Sequence, residues 1–312
     1  MNALVTGVAG FIGSHLAERL LERGARVRGL DCFTDYYPRT VKETNLLKLR
    51  SHPSFTLVER SIQEADLDAL LADITHVFHF AAQAGVRRSW GRDFAVYTEQ
   101  NVLATQVLLE ASVQRPIERL VYASSSSVYG DDVALPMRED ALPRPVSPYG
   151  VTKLAAEHLC HLYFANYGLP AVSLRYFTVY GPRQRPDMGF HRFIRAALGG
   201  DAIALYGDGE QTRDFTFVSD AVEATIAAGL SGVPGRVYNI GGGSRVSVNH
   251  VIQLIGRISR RPLKVEREGK QKGDMRDTYA DASLARADLR FVPRVSLEQG
   301  LEAEYRWLSA LL

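Results

Sequence analysis

The stretch Thr6-Gly7-Val8-Ala9-Gly10-Phe11-Ile12-Gly13 restricts this chain more than any other feature. It is reached directly from a short apolar run, Ala3 to Thr6, and leads into an amphipathic segment, Ser14 to Arg23. Glycine at these positions serves a tight turn, close approach of the backbone to a bound pyrophosphate, and close packing of a helix whose N-terminus faces the negative charge. Three spaced glycines alone are weak evidence; at the end of the first strand of an alternating chain they are strong.

The chain does alternate. β-Branched runs at Arg26 to Leu30, Phe55 to Val58, His76 to Phe80, Arg119 to Ala123 and Ala171 to Phe177 are separated by helical stretches such as Thr105 to Gln114. That pattern predicts an α/β fold, a Rossmann-type doubly wound parallel sheet. Beyond Gly181 the segments are punctuated by Pro and Gly. We therefore expect a dinucleotide-binding domain over residues 1–180, with a segment near 236–248 returning to it through a strand at Arg236 to Ile240. A smaller C-terminal substrate-binding domain, interleaved with the first, takes most of 181–312. A length of 312 residues suits one large core or two moderate ones.

A formal net charge of +2 forms no electrostatic footprint for nucleic acid, so small-molecule partners are expected. No apolar run approaches the roughly 20 residues that span a bilayer, and a first strand at Asn2 leaves no room for a leader. The expectation is a cytoplasmic protein without a membrane partner. The two cysteines, Cys32 and Cys160, lack metal-ligand spacing. Cys160 lies near His158 and His161, an arrangement better suited to packing than to a metal cluster, and no metal is expected.

The candidate chemistry is concentrated in Tyr149-Gly-Val-Thr-Lys153 and the run Ser124 to Ser127. On a helix, the phenol and the ammonium lie one turn apart on the same face, where the cation would lower the phenol's pKa and a serine hydroxyl would relay a proton. The chain is rich in Arg and poor in Lys, and Lys153 is the only lysine between Lys48 and Lys264. Ligands of open parallel sheets sit at the carboxyl ends of the strands. Those ends here carry Gly7, Asp31, Ser61-Ile62, Ala81-Ala82-Gln83, Ser124-Ser125 and Thr178, and Tyr149 opens its helix just after Ser147-Pro148. Asp31 suits the hydroxyls of an adenosine ribose and would repel a 2′-phosphate, which favours NAD over NADP.

Thr6 to Gly13, Ala81-Ala82, Tyr149 to Lys153 and Arg175-Tyr176-Phe177 resemble the extended short-chain dehydrogenase/reductase family, specifically its nucleotide-sugar epimerases and dehydratases. The similarity continues through Tyr206 to Gly209, Gln211 to Asp214, Phe217 to Asp220 and Gly273 to Arg276. The resemblance implies NAD contacts at Gly7, Gly10, Phe11, Ile12, Gly13, Asp31, Ile62, Phe80, Ala81, Ala82, Gln83, Ser124, Tyr149, Lys153 and Tyr176. The family often has Asp beside the adenine where this chain has Ser61. Relatives that eliminate water or decarboxylate resemble one another in a Thr-x-Glu pattern before Val-Tyr-Gly; here that stretch reads Ser125-Ser126-Ser127. A serine hydroxyl cannot replace a carboxylate as acid or base near neutral pH, so C4 epimerisation is expected.

The implied mechanism has the Tyr149 phenolate taking the C4 hydroxyl proton through or beside Ser125, NAD⁺ taking the hydride, and the 4-keto sugar turning before hydride returns. Ala81 to Arg87, Ala123 to Gly130 and Arg175 to Met188 are most similar to UDP-glucuronate 4-epimerases, whereas UDP-glucose 4-epimerases commonly carry Asn where this chain has Thr178. Ser126, Ser127, Thr178 and Arg185 would surround a uronate carboxylate, with charge-assisted bonds from Arg185. Arg213 and Arg276 resemble diphosphate contacts, Asp274 lies near the expected uridine ribose, and Arg87 is a candidate on the substrate side. Phe190, Phe193 and Tyr206 line the uracil pocket or pack in the core. The resemblance also suggests a homodimer built on helices near Val96 to Gln114 and Tyr149 to Tyr167. Alternatives are a UDP-glucose or UDP-N-acetylhexosamine 4-epimerase, a net oxidoreductase releasing NADH, and a non-catalytic NAD-binding sensor.

Oxidising C4 of a hexuronate creates a β-keto acid prone to lose CO₂, and a firmly anchored carboxylate suppresses that loss. Thr178→Ala is expected to release more UDP-pentose than the parent protein, measured by chromatography of the nucleotide sugars. Equal amounts would count against the anchoring idea.

Overall fold

In the computed structural model, which describes residues 1–312, the alternating runs become β1 (Asn2–Thr6), β2 (Arg26–Asp31), β3 (Phe55–Glu59), β4 (His76–His79), β5 (Arg119–Ser125) and β6 (Ala171–Tyr176). With Val237–Ile240 they form a seven-stranded sheet in the order Val237–Ile240, β6, β5, β4, β1, β2, β3. All its pairings are parallel. β5 runs on to Ser125, so the serine run begins inside the strand rather than after it.

Adjacent residues of β1 serve opposite faces of the sheet. Val5 joins a core with Leu16, Leu20, Val222 and Ile226, whereas Leu4 joins one with Leu30, Leu108, Leu120 and Ala156. The first core is closed by α1 (Phe11–Glu22) and by the helix Val218–Ser231. That second helix lies beyond Gly181 in sequence, so the chain returns to the main sheet before the strand Val237–Ile240. α1 begins at Phe11 because Gly10, in extended conformation, occupies its N-cap position.

A third core holds Tyr180, Phe190, Phe193, Ile194, Val251, Ile255 and Leu301. It is built by the helices Gly189–Gly199, Val248–Ser259 and Leu297–Ser309 beside the parallel pair Ala202–Tyr206 and Lys264–Glu268. Phe190 and Phe193 are thus core residues, 4% and 9% exposed. No helix is long and apolar enough to cross a membrane. Cys160 is buried in the second core and Cys32 is exposed, and both are free.

The turn after β1 is closed by contacts that leave no room for side chains. Gly7 has φ +70°, and a Cβ on it would lie 2.8 Å from the Ala81 nitrogen. A Cβ on Gly13 would press into the Gly7 carbonyl, 3.0 Å from its carbon. Since the obstacle is backbone, Gly13→Ala is expected to destabilise the fold by about 1–3 kcal/mol, read as a lower urea midpoint.

Candidate functional site

Gly10 caps α1 without a side chain, so the first-turn N–H groups at Phe11, Ile12 and Gly13 have no capping partner and line a cleft. That is an anion cradle of the kind a pyrophosphate fits. Asp31 closes the turn from the next strand: its Oδ2 accepts from the Ala9 N–H at 3.0 Å and its Oδ1 from the Phe33 N–H at 2.8 Å. Burial pushes the Asp31 carboxyl up, while the Phe33 N–H and the Lys42 charge oppose that shift. Lys42 lines the cleft beside it, 4% exposed, donating to the Thr34 carbonyl at 2.6 Å. The sequence reading passed over Lys42; its signal was a lone lysine soon after the Asp31 strand end.

The cleft, about 590 Å³, runs from this turn across the strand ends. Of the expected residues, Gly7, Gly10, Phe11, Ile12, Gly13, Asp31, Phe80, Ala81, Ala82, Gln83, Arg87, Ser124, Ser125, Ser126, Ser127, Tyr149, Lys153, Tyr176, Thr178, Arg185 and Asp274 all line it. Ile62, Arg213 and Arg276 do not. Ile62 is an apolar side chain buried in the core of Leu4 and Leu30. Arg213 is turned onto the Thr212 and Met275 carbonyls at 2.8 and 2.7 Å. Arg276 is exposed and paired with Asp208 at 2.8 Å.

Tyr149 stands in the first turn of the helix Pro148–Tyr167. Ser147 accepts from the Gly150 N–H at 3.1 Å, and Pro148 supplies the preset first residue. Burial pushes the phenol's pKa above its ordinary 10.0, while the Arg185 charge and the Ser125 hydroxyl pull it down. The net shift is upward, where the sequence led to an expected lowering by Lys153. The Lys153 ammonium donates to the Ala123 carbonyl at 2.8 Å and lies 5.0 Å from the centre of the Tyr122 ring. Burial lowers its pKa from 10.5 to about 7.

Arg185 reaches the cleft from the loop after Tyr180, and Asp187 accepts from its Nε and Nη2 at 3.0 and 2.9 Å. Tyr36 donates to the same carboxylate at 3.2 Å. Burial works against the Asp187 carboxylate, but the Arg185 charge and the hydrogen bonds from Arg185 and Tyr36 together outweigh it and hold the group below its usual range. Arg87 donates to Asp274 at 2.7 Å and lies 4.1 Å from the centre of the Tyr206 ring, with Arg192 at 5.2 Å from the same ring.

Asn101 was missed. The helical stretch from Phe94 widens into a π-helical turn at Thr98–Leu103, where buried Asn101 accepts from the Gln83 N–H at 2.7 Å and donates to Thr152 Oγ1 at 3.0 Å. It pins the strand end at Gln83 to the Tyr149 helix. The polar triplet Glu99-Gln100-Asn101 within an amphipathic segment was its signal, and π-turns gather at functional sites.

Fold and cleft together define an α/β enzyme with a dinucleotide-binding cleft across its strand ends. Residues 3–241 match the NAD dependent epimerase/dehydratase family, and the chain belongs to that family. An uncharacterized UDP-glucose epimerase, YtcB, of Bacillus subtilis (strain 168) is 45% identical, over 100% of this chain and 99% of its own. A UDP-glucuronate 4-epimerase of Thermodesulfobacterium geofontis (strain OPF15) is 38% identical, over 97% of this chain and 95% of its own. The crystal structure of UDP-glucuronic acid 4-epimerase from Bacillus cereus, in complex with UDP-glucuronic acid and NAD, matches with a TM-score of 0.97 and 45% identity, covering 100% of both chains.

The lowered pKa of Lys153 makes stability depend on pH. Below about pH 7 both folded and unfolded chains hold the proton, and the folded chain carries the full penalty of a buried charge. Between there and about 10.4 the unfolded chain binds more protons, so stability rises with pH. Lys153→Met should therefore be more stable than the parent at about pH 6, with the gap narrowing by about pH 9, read from urea midpoints. A gap independent of pH would refute the buried-charge assignment.

Proposed function

We propose that this protein interconverts UDP-glucuronate and UDP-galacturonate by NAD-dependent epimerisation at C4. One observation carries the reading: Tyr149 and Ser125 share a cleft with Ser126, Ser127, Thr178 and Arg185, opposite the glycine turn. The proposed proton-transfer pair and carboxylate-binding set thus line one cleft. Bound NAD⁺ would supply a hydride acceptor at C4 and a positive ring beside the phenol.

The chain's own residues do the rest. Gly7 to Gly13 would receive the pyrophosphate of NAD on backbone N–H groups, and Asp31 would accept from its ribose hydroxyls. Tyr149 takes the C4 hydroxyl proton, directly or along Ser125, and returns it to the epimerised oxygen. Bringing a phenol from about 10 to near 7 takes roughly 4 kcal/mol. Burial opposes that shift, so positive charge has to supply it, and Arg185 is the first such source in the structure. Ser126, Ser127, Thr178 and Arg185 orient the uronate carboxylate so that its carbon–carbon bond stays out of line with the oxidised C4, which suppresses loss of CO₂.

The nucleotide end lies toward residues 181–312, where Asp274 faces the cleft and Arg87 with Tyr206 offers a stacked cation and ring. Arg213 and Arg276 serve the diphosphate if they exchange their present partners for phosphate oxygens, a geometry their forks suit. The exposed apolar side chains Val96, Leu103, Val151 and Leu162 lie on the Phe94–Val113 stretch and the Tyr149 helix, which supports a homodimer through those helices. A cytoplasmic enzyme fits the free cysteines. A second reading, epimerisation of UDP-glucose, draws support from the name of the Bacillus subtilis relative.

The test is a panel of UDP-sugars carrying deuterium at C4. UDP-glucuronate should give UDP-galacturonate with the label retained and no steady growth of NADH absorbance. Faster conversion of UDP-glucose to UDP-galactose would overturn the substrate assignment. Tyr149→Phe should lower kcat by about 10²–10⁴-fold.

A further inference from the structure

Beneath the reacting hydroxyls lies a buried ion pair to which the proposed chemistry gives no role. Glu157 stands one turn beyond Lys153 and two beyond Tyr149 on the same helix face. The Glu157 and Arg175 side chains are each 4% exposed. Arg175 donates through Nε at 3.0 Å and through Nη2 at 2.6 Å, one bond to each carboxylate oxygen. Ser124 donates its hydroxyl to Glu157 Oε2 at 2.6 Å. Ser124 and Arg175 are direct partners in the β5–β6 pairing, so a single carboxylate grips both strands.

One turn earlier, Lys153 holds the Ala123 carbonyl. Ala123 and Ser124 are therefore each fastened to the helix, and the next residue is Ser125. The fastening extends sideways: Arg175 lies 4.6 Å from the centre of the Tyr129 ring, and Tyr129 donates to Asn239 Oδ1, on the strand beyond β6, at 2.7 Å. A buried ion pair is weak evidence for stability, since apolar residues of equal volume often serve as well. Its directional bonds constrain placement instead.

We propose that Glu157 is a positioning residue: by gripping Ser124 and Arg175 together it sets the height of the catalytic helix on β5, and with it the separation of the Ser125 and Tyr149 hydroxyls. Glu157 acts through its neighbours. A misplacement of about 1 Å at a distance from the chemistry can lower a rate about 100-fold.

The test uses Glu157→Gln and the paired variant Glu157→Gln with Arg175→Gln, which removes both charges together. The assay rests on the epimerase reading. Wild-type turnover across the UDP-sugar panel judges that reading, and the ratio of variant to wild type on whichever sugar is turned over judges the positioning role. The paired variant should lose about 10- to 100-fold in kcat with KM within about threefold, while its thermal midpoint and NAD content stay near wild type. Glu157→Gln, which keeps the Arg175 guanidinium as a donor to residue 157, should fall between. A kcat within twofold of wild type, a loss confined to KM, or failure of both variants to fold would overturn the proposal.

Discussion

The cleft exists because β1 and β4 lie side by side and the order of the strands reverses between them. Chain leaving β1 turns to one face of the sheet and chain leaving β4 to the other, which opens a crevice where ligands of doubly wound sheets bind. Here the crevice depends on a close approach of backbone: Gly7 sits so near Ala81 that a methyl group would not fit. Thr6 Oγ1 accepts from the Ala81 N–H at 3.1 Å and contacts His79 Nδ1 at 2.7 Å, and His79 Nε2 meets Thr105 at 2.9 Å. The two strand ends and the neighbouring helix are thereby held together before any ligand contributes.

Electrostatics in the cleft follow from burial. Apolar surroundings oppose charge on both Tyr149 and Lys153, raising the pKa of the first and lowering that of the second. Neither shift favours a phenolate paired with an ammonium. The positive charge acting on the phenol comes from Arg185, itself paired with Asp187. The site thus holds charge in reserve, and a substrate carboxylate offered to Arg185 would compete with Asp187 for the same fork.

The main sheet was legible in the sequence because its strands are short apolar runs separated by amphipathic helices, and their boundaries agree to within a residue or two. Turn chemistry placed Gly7, Gly10, Asp31 and Tyr149 at the cleft, with Ser147 capping the Tyr149 helix. What escaped notice was set by three-dimensional neighbours. Asn101 matters because a π-turn aims it at Gln83 and Thr152, and nothing in one dimension shows that turn. Arg213 and Arg276 carry the right functional groups, yet local carbonyls and Asp208 claim their guanidiniums. Lys153 has the spacing to share a face with Tyr149, and in three dimensions its ammonium donates to the Ala123 carbonyl of β5. Spacing specifies which residues share a face and leaves open which partner each long side chain takes.

The Thr178 and Arg185 side of the cleft is fixed to the glycine-turn side by the short segment that links the two halves of the molecule. Val179–Tyr180 pairs with Thr216–Phe217, and Tyr180 packs against Phe190 and Phe215 in the third core. Gly181 donates its N–H to buried Glu304 at 2.8 Å. The Pro182 carbonyl meets His15 at 2.9 Å, and Arg183 donates to Glu18 at 2.7 Å, both on α1. The loop bearing Arg185 is therefore tied at once to the third core and to the helix whose N-terminus faces the pyrophosphate. Thr178 and Arg185 are held relative to Tyr149 by contacts that also fasten the helix after the glycine turn, so the proposed carboxylate set belongs to the same framework as the dinucleotide turn.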